Sequence, residues 1–306
     1  MTYLEYSKIK VQLELEKELK FTTYPTFMFH SVIGKELKKL TCIFRHLECR
    51  ECPIKQSCPY SIFFVTPIER DNEILKGRDK APHPYVISSD NLVNKEIKGF
   101  DLTFTIFGKY IKQFPYLYYS LLKAGERGIF KDRIKYKIES VIVDDKNILK
   151  DDGNLDMDFS YSKWFINQSD SLKNRYTIDV SFISPLRLKY KGKLLSDITF
   201  NDLLDASQRR MELLSSFYGE YEDFPISKND DSFELIDKDI KWVDLNYYSA
   251  RQRERLKLGG IVGKMTVQGE LDNSLISILE AAELFHIGKN PSFGLGKIKV
   301  DINQVG

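Results

Sequence analysis

Cys42, Cys49, Cys52 and Cys58 are the chain's four cysteines, and all fall within 17 residues. Cys49-Arg-Glu-Cys52 is a CxxC pair, and Pro53 and Pro59 favour the tight turns of a knuckle. Four thiolates this close suit tetrahedral Zn²⁺. Such a site has no open coordination position, so it predicts a structural staple and no catalytic metal. An iron–sulfur cluster and free or redox-active thiols are the other chemistries open to the same residues. A second stretch, His286-Ile-Gly288-Lys289-Asn-Pro-Ser-Phe-Gly294-Leu-Gly296-Lys297, could grip phosphate. Its glycines let backbone N–H groups approach an anion, and Lys289, Lys297 and Lys299 add charge. It is not a dinucleotide-binding turn, because there the order is strand, glycines, helix, whereas here a helix leads in.

The charge pattern agrees with a polyanionic partner. The net charge is only +2, but it is segregated. Residues 144–158 hold six Asp against two Lys, whereas residues 251–264 hold five cations and one acid. A polyanion responds to that local field. Alternate residues on a strand project the same way, so Arg251, Arg253 and Arg255, followed by Lys257, could track a nucleic-acid backbone. Aromatics reach 13%, and Tyr247, Tyr248 and Phe293 are candidates for stacking bases. No apolar run approaches a membrane span, and the charged first 20 residues are no signal peptide. The chain therefore reads as a cytoplasmic protein without membrane contact.

The elements that must position these residues repeat. In the first half, Ile9–Phe21 alternates as a strand, and His30–Phe44 has Ile33, Leu37 and Leu40 at helical spacing. After the cysteines come a strand over 102–111, a helix from Pro115 to Ala124 stopped by Gly125, and a strand over 134–143. The acidic stretch 144–158 reads as a linker. In the second half, strand 176–183 precedes a helix over 199–218, then strands 240–248 and 260–269, a helix over 274–286 and a last strand over 293–302. The second half thus reads βαββαβ, the ferredoxin-like unit, and the first half, with one strand fewer read, repeats its order. The predicted fold class is α+β: two tandem ferredoxin-like (RRM-like) domains, 1–165 and 166–306. The four-cysteine knuckle, 42–58, is inserted in the first, and the glycine-rich loop, 286–296, lies in the second.

The loop HIGKNPSFGLGKIKV resembles the carboxy-terminal glycine-rich loop of the CRISPR-associated RAMP proteins. The similarity is greatest to their CRISPR RNA-processing endoribonucleases, the sixth Cas family, in the branch with a characteristic carboxy-terminal domain. Further stretches carry the same resemblance: GKELKKLTC (34–42), CPYSIFF (58–64), PHPYVI (82–87), GERGIF (125–130), SPLRLK (184–189) and YSARQRERLKLGGIVGKMTVQGEL (248–271).

The resemblance implies metal-independent cleavage of precursor CRISPR RNA within its repeats. The substrate's 2′-hydroxyl would attack the adjacent phosphate, leaving a 2′,3′-cyclic phosphate and a 5′-hydroxyl. That reaction needs a base, an acid and cations, and histidine suits the first two. In the family the catalytic histidine lies in or just before the first helix of the first domain, and His30 holds that place. A helix amino terminus also favours an approaching phosphate. His286 is the rival, with orienting the loop as its other reading. Tyr24 and Lys35 are expected helpers of His30. His46 is expected to support or join the metal site, and His83, between Pro82 and Pro84, to be structural. The expected RNA grip combines Arg251, Arg253, Arg255 and Lys257 with Gly288, Lys289, Gly294, Gly296 and Lys297. Expected partners are the precursor CRISPR RNA repeat and CRISPR effector-complex subunits, with a homodimer as a further assembly. A non-catalytic RAMP subunit that binds CRISPR RNA in an effector complex is the alternative function.

Overall fold

A computed structural model describes residues 2–68, 75, 80–90, 92–130, 132–166, 173–223, 233–249 and 254–305. By contacts the chain divides into two units. One takes Glu5–Ser162 with Tyr248–Glu254, and the other takes Met1–Leu4, Lys163–Tyr247 and Arg255–Gly306.

The first unit runs β1 (Tyr3–Lys20), α1 (Pro25–Thr41), a π turn (Ser61–Val65), β2 (Tyr85–Ser88) and β3 (Glu96–Phe107). It continues through a 3₁₀ turn (Gly108–Gln113) to α2 (Phe114–Arg127), β4 (Tyr136–Val143) and a short β5 (Lys146–Asn147). The sheet order is β2-β3-β1-β4-β5, all antiparallel where paired. With β5 set aside this is the ferredoxin-like order. The period-2 signal of β1 does what it predicts: Ile9, Val11, Leu13 and Leu15 are buried on one face. Against that face pack Phe29, Ile33 and Leu37 of α1 and Leu117, Leu121 and Ala124 of α2.

Two sequence expectations fail here for identifiable reasons. Gly125 does not end α2; the helix runs on to Arg127, and Gly128, at φ +78°, stops it. Gly125 is instead a packing glycine, since a Cβ there would lie 2.5 Å from the Tyr136 carbonyl oxygen. The acidic stretch 144–158 is not a linker. Ile148 is buried, Leu149 bridges Leu155, and Leu149, Leu155 and Met157 pack on the first core. Its apolar residues outweigh the charge run because they join or pack on the first core.

The second unit contains β6 (Ser162–Phe165, entering at Lys163), β7 (Asn174–Leu186), the hairpin β8 (Lys189–Tyr190) and β9 (Lys193–Leu194), and α3 (Phe200–Tyr218). It continues with β10 (Phe233–Val243), β11 (Asn246–Ser249, leaving at Tyr247) and β12 (Glu254–Lys257, entering at Arg255), then β13 (Gly260–Leu271), α4 (Asn273–Phe285) and β14 (Ile298–Gln304). Its sheet order is β10-β13-β7-β14, again ferredoxin-like. α3 begins with a capping box: Thr199 accepts from the Asp202 N–H while the Asp202 carboxylate accepts from the Thr199 N–H. Of the predicted stripe, Phe200, Leu203, Leu204, Met211 and Leu214 are buried and Tyr218 is half-buried. Both halves are thus α+β ferredoxin-like folds.

Candidate active site and nucleic-acid interface

In the first unit, three segments bring aromatic and titratable rings together. His30 lies one turn into α1, in phase with Ile33 and Leu37, and is 7% exposed. Its Nδ1 lies 3.0 Å from the Tyr85 hydroxyl at the start of β2. The Phe64 ring, from the π turn, sits 5.1 Å from the His30 ring. His83, just before β2, has its ring 6.2 Å from His30 and 6.1 Å from Tyr85. The His83 Nδ1 is 2.5 Å from the Phe63 carbonyl oxygen. A carbonyl only accepts, so Nδ1 carries a proton there. Neutral His83 then keeps its lone pair on Nε2, and protonated His83 donates from it. His83 is half-buried, so it is the more accessible of the two rings.

The expected helpers of His30 do not join this group. Lys35 is exposed, and five residues along a helix turn it roughly 140° away from His30. Tyr24 precedes the first turn of α1 and its ring packs on Phe27 at 6.0 Å. Burial pushes the Tyr24 phenol up, so at neutral pH it is a donor and no base. His83, expected to be structural, and Tyr85, not singled out at all, are the residues that surround His30. The signal for them lay in the sequence. Pro84 forces His83 toward extended backbone, and alternate residues of an extended chain share a side.

In the second unit the glycine-rich loop docks on the end of β7 through its backbone. The Lys289 N–H donates to the Arg187 carbonyl (2.9 Å), Gly296 N–H to the Pro185 carbonyl (3.1 Å), and Lys297 N–H to Ser184 Oγ (2.9 Å). Within the loop, Ile287 N–H donates to the Gly296 carbonyl (3.0 Å), and the N–H groups of Phe293 and Gly294 also donate internally. Gly288, Gly294 and Gly296 have φ of +78°, +87° and +71°. A Cβ on Gly296 would lie 1.9 Å from the Ile287 carbonyl oxygen, and one on Gly288 would lie 2.6 Å from that of Arg187. These glycines therefore let the loop fold onto residues 184–187, which accounts for the SPLRLK stretch as its partner.

His286 is a loop residue, 3% exposed, at φ +54°, with Nδ1 3.2 Å from the Leu295 carbonyl oxygen. The ring is therefore held against its own loop. Sequence reasoning missed Arg210 of α3, buried beneath it. Its guanidinium donates to the carbonyls of Phe285 and His286 at 3.1–3.3 Å, placing a cation at the carboxy terminus of α4. Burial brings the Arg210 pKa down to about 10. Arg187 donates to the Gly259 carbonyl, and burial lowers its pKa as well.

For RNA holding, Lys257 and Lys289 are exposed and Lys297 is half-buried. Arg255 lies in β12, whereas Arg251 and Arg253 lie outside the described residues, as do the side chains of Tyr247 and Tyr248. Phe293 is half-buried in the 3₁₀ turn Pro291–Phe293.

The four cysteines, all partly buried, line one cavity of about 20 Å³ with Ile43, Leu47, Ile54 and Tyr60. Burial pushes the Cys49 thiol up, and the nearby Lys38 opposes this. Among the described residues no group of three or more Cys, His, Asp or Glu is closed to metal-ligand geometry, the four thiols included. His46 is exposed, its ring 6.4 Å from Phe44, and does not line the cavity.

With both units described, comparison with known proteins places the chain. The family model of the CRISPR-associated endoribonuclease Cas6 matches residues 180–298. A family model described as an N-terminal domain matches residues 4–157. Residues 180–298 thus match the Cas6 family of CRISPR-associated endoribonucleases, and the chain shares the fold of solved Cas6 structures. The family is one of endoribonucleases that process CRISPR RNA. An uncharacterized protein of Archaeoglobus fulgidus is 24% identical over 297 residues, covering 94% of this chain and 96% of that one. A Cas6 product complex has the same fold, with a TM-score of 0.53 at 12% identity, covering 97% of this chain and 99% of that chain. Thermus thermophilus Cas6 gives 0.50 at 12% identity over the same shares. A Cas6-RT-Cas1–Cas2 complex gives 0.54 at 13% identity over 99% of this chain and 29% of that one. Among the described residues no helix is long and apolar enough to cross a membrane.

Proposed function

We propose that this Cas6-type chain cleaves precursor CRISPR RNA within its repeats without a catalytic metal. The observation that carries the reading is the bond between His30 Nδ1 and the Tyr85 hydroxyl, with the His83 ring 6.2 Å away. When Nδ1 donates to Tyr85, Nε2 of His30 keeps its lone pair and takes the proton from a 2′-hydroxyl. The 2′-oxygen then bonds to phosphorus, and the bond from phosphorus to the 5′-oxygen breaks. Protonated His83 returns a proton to that leaving oxygen. The products are a 2′,3′-cyclic phosphate and a 5′-hydroxyl. Little of the His30 ring faces solvent, so the RNA must bring its 2′-hydroxyl to the edge of the ring.

In this reading the glycine-rich loop, Lys257, Lys289 and Lys297 hold RNA, and the sequence expects the same of Arg251, Arg253 and Arg255. A precursor repeat is the substrate, and CRISPR effector subunits receive the product. The burial of His30 favours one other reading, a RAMP subunit that binds CRISPR RNA without cutting it.

The test uses RNA carrying the host's repeat, in buffer without added divalent cations. Wild-type protein should cleave it and leave cyclic-phosphate ends. His30→Ala should be slower by about 10²–10⁴-fold with RNA affinity retained. Binding without cleavage by wild type would establish the subunit reading instead. Full activity in His30→Ala would remove His30 from the chemistry.

A further inference from the structure

Residues 42–60 pose a physical problem that the nuclease reading leaves untouched. None of these residues is buried, and Ile43 is 72% exposed. The backbone nevertheless follows a defined series of tight turns: Leu47 N–H to the Phe44 carbonyl, Glu51 to Glu48, Lys55 to Cys52 and Cys58 to Ile54. A segment that buries so little apolar surface does not offset its own ordering entropy. Something other than a hydrophobic core must hold it.

We infer that the four thiols around the 20 Å³ cavity, Cys42, Cys49, Cys52 and Cys58, bind one Zn²⁺ as a structural site. The cavity has about the volume of a single water-sized sphere. The two ends of the segment meet beside it: Thr41 Oγ1 lies 4.0 Å from Cys58 Sγ. Tetrahedral thiolate ligands at about 2.3 Å stand roughly 3.8 Å apart, so the thiols must draw inward to close on the ion. The turns between them are surface turns whose closure disturbs no buried side chain. Charge supports an anionic centre as well. A zinc ion held by four thiolates carries a double negative charge, and residues 38–58 supply Lys38, Lys39, Arg45, Arg50 and Lys55 against Glu48 and Glu51. No ligand position stays open, so this ion does no chemistry on RNA.

The site's position gives it a task. Cys42 caps the carboxy terminus of α1, the helix that carries His30, and its N–H donates to the Lys38 carbonyl. The Cys58 carbonyl accepts from Ile62 N–H at 2.9 Å, which starts the π turn. That turn supplies the Phe63 carbonyl to His83 and the Phe64 ring to His30. The ion would thus tie together the two segments that frame the histidine cluster. This consequence rests on the nuclease reading, whereas metal binding itself does not.

The experiment measures metal first and cleavage second. Protein purified under reducing conditions without chelator should hold one zinc per chain by elemental analysis. A mercurial thiol reagent should release it, and Co²⁺ should replace it with the intense thiolate-to-cobalt absorption of an all-thiolate site. Cys52→Ser and Cys42→Ser should each lose stoichiometric metal. If either variant fails to fold, metal release and cobalt exchange on wild type still decide the matter. Protein without zinc, whose melting temperature does not respond to added Zn²⁺ and which gives no cobalt band, would overturn the site. Iron in place of zinc would overturn the assignment of the metal. Stripped protein should lose cleavage at least 10-fold and regain it with Zn²⁺ but not with Mg²⁺. Unchanged cleavage after verified metal loss would overturn the positioning role alone. Wild type that holds zinc but never cleaves would overturn the nuclease reading and leave the site standing.

Discussion

Gly296→Ala distinguishes a glycine that serves RNA from one that serves the fold. Gly296 has φ +71°, and an alanine Cβ there would lie 1.9 Å from the Ile287 carbonyl oxygen, a backbone atom that cannot rotate away. The left-handed conformation alone costs an alanine about 1–2 kcal/mol. Relieving the clash means separating the two strands of the loop. That breaks the Ile287–Gly296 bond and strains the Gly296–Pro185 bond, each worth about 1 kcal/mol net. The expected loss is about 3–4 kcal/mol, which lowers the melting temperature of a unit of this size by about 10–15 °C. Gly192 is a control in the same unit: its φ is +84°, but nothing lies within 4 Å of an added Cβ. Gly192→Ala should therefore cost only the conformational part, about 1–2 kcal/mol. Calorimetry of both variants, with RNA binding measured well below the transitions, reads the difference. Equal melting temperatures for the two, with RNA affinity lost only in Gly296→Ala, would refute the packing argument and return the glycine to the RNA.

Four other variants probe the parts around the two sites. Tyr85→Phe keeps the buried ring and removes the hydroxyl beside His30, so kcat should fall roughly 10-fold with KM unchanged; an unchanged kcat would show that the hydroxyl does not orient the base. Arg210→Met leaves the Phe285 and His286 carbonyls without their guanidinium, but it also removes a buried charge. The net loss in urea unfolding should be about 1–3 kcal/mol, and a variant more stable than wild type would contradict the capping role. Lys289→Ala and Lys257→Ala, both at exposed positions, should each reduce the salt dependence of RNA affinity by about 0.7 in log–log slope; an unaltered slope would place that lysine away from phosphate.

The two ferredoxin-like units were legible because their signals are local. The alternation in β1 and the apolar stripe of α3 each bury the face they predict. Where composition was read instead of periodicity, the reading failed. Six aspartates made 144–158 look like a linker, yet Ile148 and Leu155 tie it to the first core. By residue type alone Gly125 fits a helix stop, because glycine often is one. What decides its role is a distance of 2.5 Å to the Tyr136 carbonyl oxygen, and no local sequence holds that. Arg210 escaped notice for the same reason. It lies within a helix among ordinary polar residues, and its partners, Phe285 and His286, are 75 and 76 positions away.

The most motif-dense segments turn out to be the ones the fold itself consumes. SPLRLK and the glycine-rich loop meet through backbone bonds at Ser184, Pro185 and Arg187, so their unusual composition follows from close docking before any RNA arrives. The residues that frame His30 have no such density. They come as single side chains from three separate segments: His30 from α1, Phe64 from the π turn, and His83 with Tyr85 from the approach to β2. The last pair was readable in principle. Proline after His83 biases it to extended backbone, and two residues on, Tyr85 lies on the same side. A titratable ring and a hydroxyl presented together by a rigid extended segment are a stronger hint of a site than either residue alone. The two flanking prolines, taken as a sign that His83 is merely structural, are what align it with Tyr85 beside His30.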